Sequence, residues 1–127
     1  MNDCVHITTA IILKGDKFLV EKRRSDDEVG PGIVCFPGGH LDSNETLEEC
    51  IIREMREELG IIIKNPKFIH SDIWTTSNGE KAKLHYFIVN KFEGKIKSTE
   101  ASEVYWESDI NKLSTEIDKE APRKLKL

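Results

Sequence analysis

The segment ETLEECIIREMREELG, Glu45 to Gly60, constrains this chain more than any other stretch. Thr46 followed three residues later by Glu49 is a capping box, and Gly60 is a helix stop, so the spacing predicts a helix over Leu47–Leu59. At about 100° per residue from Leu47, the apolar side chains Leu47, Ile51, Met55 and Leu59 fall near 0°, 40°, 80° and 120°, with Cys50 near 300°. Glu49, Arg53 and Arg56 lie roughly opposite, near 180–240°, as a solvated side. Glu54, Glu57 and Glu58 fall near 340°, 280° and 20°, encroaching on the apolar stripe.

Acids placed where a helix meets its core need something to offset repulsion and desolvation, since like charges at i,i+4 alone cost about 0.2–0.5 kcal/mol per pair. On the wheel Arg53 and Arg56 point away from the three acids. A divalent cation with a preference for oxygen ligands is the other way to hold them. REMREELG alone leaves both readings open, an acidic face in solvent and a cation site.

The rest of the chain supplies a frame. VHITTAIIL (Val5–Leu13), a turn at Gly15-Asp16 and FLVEKR (Phe18–Arg23) read as a β-hairpin. RSDDEVGPG (Arg24–Gly32) is a loop, IVCF (Ile33–Phe36) a short strand closed by PGG (Pro37–Gly39), and III (Ile61–Ile63) the start of another strand. KFIHSDIWT and KLHYFIVNK flank Asn78-Gly79, a hairpin signal. EVYW (Glu103–Trp106) is a last strand. Ser108 can cap a short helix, and the Lys-rich tail holds another whose extent Pro122 limits. Interspersed strands and helices without repeats or linkers imply one α/β or α+β domain over residues 1–127.

Charge and cysteine content narrow the partners. A net charge of -4 argues against a general grip on nucleic acid polymers or anionic membranes, while a phosphorylated small molecule can still bind through a bridging cation. Three cysteines, Cys4, Cys35 and Cys50, with no CxxC spacing read as reduced thiols of a cytoplasmic protein. The apolar run Ile7–Leu13, interrupted by Thr8 and Thr9, is too short for a signal or transmembrane helix and reads as a buried strand.

The full run GHLDSNETLEECIIREMREELGI, Gly39 to Ile61, resembles the signature of the Nudix hydrolase family: glycine, five residues, glutamate, seven residues, Arg-Glu, an aliphatic residue, any residue, Glu-Glu, any residue, glycine, aliphatic. Gly39, Glu45, Arg53, Glu54, Met55, Glu57, Glu58, Gly60 and Ile61 satisfy all nine specified positions. The resemblance implies an α/β/α sandwich with a mixed β-sheet that cleaves a nucleoside diphosphate linkage with Mg²⁺ or Mn²⁺. It implies that Glu57 and Glu58 are metal ligands, that Glu54 is a ligand or the base for the attacking water, and that the Gly38 carbonyl is a further ligand. Glu45 would pair with Arg53 and hold the loop on the helix. Relatives in the MutT-like branch carry a further glutamate six residues before a tryptophan on the closing strand; Glu100 stands there, with Glu103 as competitor. Counting back from FPGG, Arg24 matches an arginine that meets substrate phosphates, and Gly39, Phe36 and Trp74 join it as expected substrate contacts.

The substrate is less legible. PGGHLD and ETLEEC look most like members that convert (d)NTPs to monophosphate and pyrophosphate. The proline of the ADP-ribose branch is replaced by Thr76, and the tyrosine of the diadenosine polyphosphate branch by Ser77, Asn78 and Gly79. The upstream motif of the coenzyme A branch is not reproduced after Leu19. An asparagine that reads the base in MutT falls on Glu120, which cannot supply an amide's donor–acceptor pair while ionised. His85 and Phe87 alternate with Leu84, Tyr86 and Ile88, and core packing suits most of them better than base stacking. Readings to weigh against the triphosphatase are a pyrophosphatase for ADP-ribose or another nucleoside-diphosphate compound, and a nucleotide sensor that does not cleave. Either a monomer or a homodimer is compatible with the sequence.

Overall fold

A computed structural model describes residues 4–24, 32–75, 79–98 and 103–124. Among these, β1 (Val5–Lys14), β2 (Lys17–Lys22), β3 (Val34–Cys35), β4 (Gly38–His40), β6 (Lys67–Thr75), β7 (Lys81–Val89) and β9 (Glu103–Glu107) form a seven-stranded sheet, and β5 (Ile62–Lys64) pairs with β8 (Lys91–Glu93). Helices α1 (Leu47–Leu59) and α2 (Glu116–Lys124) and a 3₁₀ turn at Ile110–Lys112 complete the fold.

β1 organises the sheet because it has partners on both sides. It runs parallel to β7 from Val5↔Ala82 to Ile12↔Val89. Its other edge is shared: Ile7, Thr8 and Thr9 pair with His40, Gly39 and Gly38, while Leu13 and Lys14 turn into the hairpin with β2. The remaining pairings are antiparallel, so the sheet is mixed, as the resemblance implies.

Period-2 alternation then sorts side chains into two cores. Ala10, Ile12, Leu19, Phe87 and Val89 face Ile51, Met55 and Leu59 of α1. Ile11, Phe18, Val20, Leu84, Tyr86 and Ile88 face Leu113 and Ala121 on the α2 side. Helix, sheet, helix is the α/β/α sandwich, and the split of β7 by alternate residues follows from strand geometry.

Four local expectations are corrected. PGG does not close a strand: Gly38–His40 is itself a strand, made one by its pairing to β1. Lys91–Glu93 forms a separate short strand rather than the end of the preceding one. Pro122 does not stop the terminal helix, which continues to Lys124 with Pro122 buried in its last turns. The short helical turn after Ser108 is capped by Asp109, whose carboxylate accepts from the Asn111 amide. The Asn78 turn lies outside the described residues. Cys4, Cys35 and Cys50 are free thiols. No helix among the described residues is long and apolar enough to cross a membrane.

Candidate active site

The site is built where β4 meets α1. Both caps of α1 form as read: the Thr46 hydroxyl accepts from the Glu49 amide at 3.1 Å, the Glu49 carboxylate accepts from the Thr46 amide at 2.8 Å, and Gly60 closes the helix at φ 72°. The helix therefore begins and ends where its local signals put it, and its glutamates keep their phase.

Arg53 is the hub. Its Nε and Nη2 donate to the two Glu45 carboxylate oxygens at 3.1 and 2.8 Å, and Nη2 also donates to the His40 carbonyl at 3.0 Å. Nη1 donates to Glu54 Oε2 at 2.9 Å and to Glu57 Oε1 at 3.0 Å. All five guanidinium N–H groups are thus used, a fork that lysine cannot reproduce. This corrects the expectation that Arg53 points away from the acids. On the wheel it lies only about 40° from Glu57, and a long side chain covers that arc.

Glu45 joins the loop to the helix. It also accepts from the Asp42 amide at 2.9 Å, and its side chain is only 14% exposed. The hydrogen bonds from Arg53, helped by the Asp42 amide, pull its carboxyl down from 4.5 to about 2. A depressed acid stabilises the fold above its unfolded pKa and loses that contribution as pH falls through the folded one. The wild type should therefore exceed Glu45→Gln in unfolding free energy by a constant margin above about pH 4.5, a margin that shrinks towards pH 2. Urea melts at stepped pH check this; a margin independent of pH down to 2 would contradict the assignment.

Two glycines let backbone and carboxylate meet. A Cβ on Gly38 would stand 2.1 Å from the Thr8 carbonyl oxygen, so only glycine lets β4 lie this close to β1. A Cβ on Gly39 would stand 2.0 Å from Glu54 Cδ. Glu54 is thus wedged between the Gly39 backbone and Arg53, with its side chain 15% exposed, whereas Glu57 is 60% exposed. Glu58 is half-buried on the turn after Glu54.

A divalent cation can be tested against this donor set. Glu54, Glu57 and Glu58 offer carboxylate oxygens at i, i+3 and i+4 of one helix, and the Gly38 carbonyl lies one residue from the glycine that touches Glu54. Hard oxygen donors of this kind suit Mg²⁺ or Mn²⁺. Among the described residues, no three acid, histidine or cysteine side chains already converge into a cage. Arg53 supplies the reason, since it draws Glu57 towards itself. Because Glu57 is exposed and its pair with Arg53 is of the weak surface kind, swinging it onto a cation is inexpensive. The residues fit the group.

The other expected site residues are dispersed. Glu100 lies outside the described residues; Glu103 is exposed on β9, opposite Lys22. Arg24 is exposed just beyond β2. Phe36 is buried, edge-on to Phe18 and Tyr86, and Trp74 packs against the same α2-side core. Glu120 pairs with Arg123 at 2.8 Å.

Sequence reasoning missed the acid of α2 that turns inward. Asp118, 4% exposed, accepts from the Tyr86 hydroxyl at 2.5 Å and from the Phe36 amide at 3.3 Å. Burial pushes its carboxyl up to about 6, against the pull of those two donors. The available signal was helical spacing, because Asp118 shares a face with the buried Ala121 and Pro122. His85 is likewise structural in its contacts, bonded to Ser71 Oγ at 2.8 Å and to His6 Nδ1 at 3.0 Å.

The model of the NUDIX domain family matches residues 5–124. The chain is 31% identical over 101 residues to the 8-oxo-dGTP diphosphatase of Buchnera aphidicola, covering 80% of this chain and 75% of that protein. It is 31% identical over 64 residues to the NAD-capped RNA hydrolase NudC of Stutzerimonas stutzeri, which is 50% of this chain but only 22% of that protein. The fold superimposes on the MutT NUDIX hydrolase of Burkholderia pseudomallei with a TM-score of 0.85 and 22% identity, over 98% of this chain and 99% of that one.

Proposed function

The chain belongs to the Nudix family, hydrolases of pyrophosphate bonds that generally need divalent metal ions, and we propose that it hydrolyses nucleoside triphosphates to monophosphate and pyrophosphate with Mg²⁺ or Mn²⁺. The observation that carries this reading is the Glu54 carboxylate set against Gly39 by Arg53, with Glu57 and Glu58 on the same helix face. The likeness to a diphosphatase of comparable length supports the substrate class. Residues 1–127 are taken as one domain, of which the family model spans 5–124.

Each chain residue has a task in this reading. Glu54, Glu57, Glu58 and the Gly38 carbonyl would hold the cation, with Glu100 as the further ligand. When bound, such an ion neutralises phosphoryl oxygens and lowers the pKa of water. Arg53 and Glu45 keep the loop and Glu54 in place. An ionised carboxylate oxygen of Glu54 or Glu57 is the group positioned to take the attacking water's proton. Arg24 meets the phosphates and Gly39 lines the approach, while Phe36 and Trp74, expected beside them, are held in the α2-side core. The sensor reading is disfavoured because every carboxylate of the signature is present.

A panel of canonical and oxidised dNTPs and NTPs, ADP-ribose, diadenosine polyphosphates, NADH and coenzyme A, assayed with Mg²⁺ and resolved by ion exchange, tests the proposal. Monophosphate plus pyrophosphate from a triphosphate is expected, with an alkaline optimum because a water or carboxylate must give up its proton. AMP from ADP-ribose alone would move the substrate to the nucleoside-diphosphate class. Binding without turnover would favour the sensor.

A further inference from the structure

We propose that Thr8 and Cys50 form a positioning link that seats α1 on the sheet where Glu54 meets Gly39, and that this link sets how tightly the carboxylate face holds a divalent cation. The inference rests on the functional reading above.

Both residues are fully buried, and Thr8 Oγ1 lies 3.1 Å from Cys50 Sγ. The thiol donates onward to the His40 carbonyl at 3.5 Å, the oxygen that also accepts from Arg53 Nη2. Arg53 Nη2 approaches the sulfur itself at 3.9 Å. A hydroxyl, a thiol and a carbonyl thus connect β1 through α1 to β4. Thr8 has a second role through its backbone: it pairs in register with Gly39, and its carbonyl oxygen is the atom that excludes a side chain at Gly38. One residue therefore touches the helix with its side chain and both site glycines with its main chain.

Besides the Arg53 hydrogen bond to the His40 carbonyl, α1 meets the sheet through apolar contacts, among them Ile51 and Met55 in one core with Ala10 and Ile12. Dispersion and burial favour contact but impose little direction, so they tolerate small slides of a helix along its axis. A hydrogen-bonded relay does not, because its strength falls steeply with angle and distance. Neither Thr8 nor Cys50 is among the acids that would hold a cation, so their effect on one passes through the position of Glu54.

The test is a double-mutant cycle with Thr8→Val, Cys50→Ala and the pair together, and Cys50→Ser as the conservative control. The readout is Mn²⁺ affinity without nucleotide, from the electron paramagnetic resonance of free Mn²⁺. Each single variant should bind Mn²⁺ about three- to tenfold more weakly, the range one net hydrogen bond spans. The double variant should be no weaker than the worse single, because both remove the same link. Cys50→Ser should stay within about twofold of wild type, since a hydroxyl also donates and accepts.

Wild-type affinity in both single variants, or additive losses, would overturn the link. Should Cys50→Ala not fold, Thr8→Val against Cys50→Ser decides: a weakened valine beside an intact serine supports the link, and a valine at wild-type affinity overturns it. Wild-type protein that binds no Mn²⁺ would defeat the functional reading along with the link. Wild-type protein that binds Mn²⁺ but cleaves no nucleotide would defeat the functional reading alone.

Discussion

Glu57→Gln is expected to fold as the wild type does and to lose about a hundredfold or more in turnover. The folding half follows from its surroundings. Glu57 is 60% exposed and its partner is Arg53 Nη1 at 3.0 Å in an i,i+4 pair. Such surface pairs contribute about 0.3–0.5 kcal/mol, and glutamine keeps an oxygen that can accept from the same donor. The catalytic half follows from charge. Removing a negative oxygen from a cation's ligand set, or the base from a water, acts on the transition state, where single groups contribute several kcal/mol. Thermal melts of both proteins beside a steady-state assay check the pair of claims. Unchanged turnover would sink the placement of the metal on this helix.

The second large effect separates two adjacent glycines. Gly38→Ala should cost about 3 kcal/mol or more and lower Tm by roughly 10 °C or more, because its Cβ meets backbone that cannot swing aside. That backbone is the Thr8 carbonyl oxygen, 2.1 Å from the added atom, in the middle of a sheet. Gly39→Ala meets the Glu54 carboxylate instead, 2.0 Å away at Cδ. A side-chain end can move, so the expected stability loss is about 1 kcal/mol, with activity falling much further as Glu54 is displaced. Paired denaturation and rate measurements distinguish them. A Gly39→Ala protein that turns over like wild type would show that the contact with Glu54 has no bearing on the reaction.

What could be read from residues alone tracks how local each interaction is. The helix over Leu47–Leu59 was legible to the residue because Thr46, Glu49 and Gly60 act within one turn of its ends. The phase of its glutamates came with it. The faces of KLHYFIVNK were legible because strand alternation is a property of the backbone itself. β4 was not, since Gly38 and Gly39 carry no side-chain pattern and become a strand only against Thr8 and Thr9, some thirty residues earlier. Arg53 was misjudged because a helical wheel records the angle of Cβ and not the reach of a guanidinium. Asp118 was overlooked because its partners, Phe36 and Tyr86, come from two other strands and their loops.

Spacing along the chain settled the helix, its caps, the nine-position signature and an α/β or α+β domain, and the sandwich class came through the family resemblance that the signature carries. Tertiary structure decided what the glutamates have around them: Glu54 wedged at Gly39, Glu57 drawn to Arg53, the loop tied down through Glu45, and Thr8 set beneath Cys50. These depend on which strand lies beside β1 and how high α1 sits above it. Such distances join residues far apart in sequence, and packing sets them where local propensity does not reach.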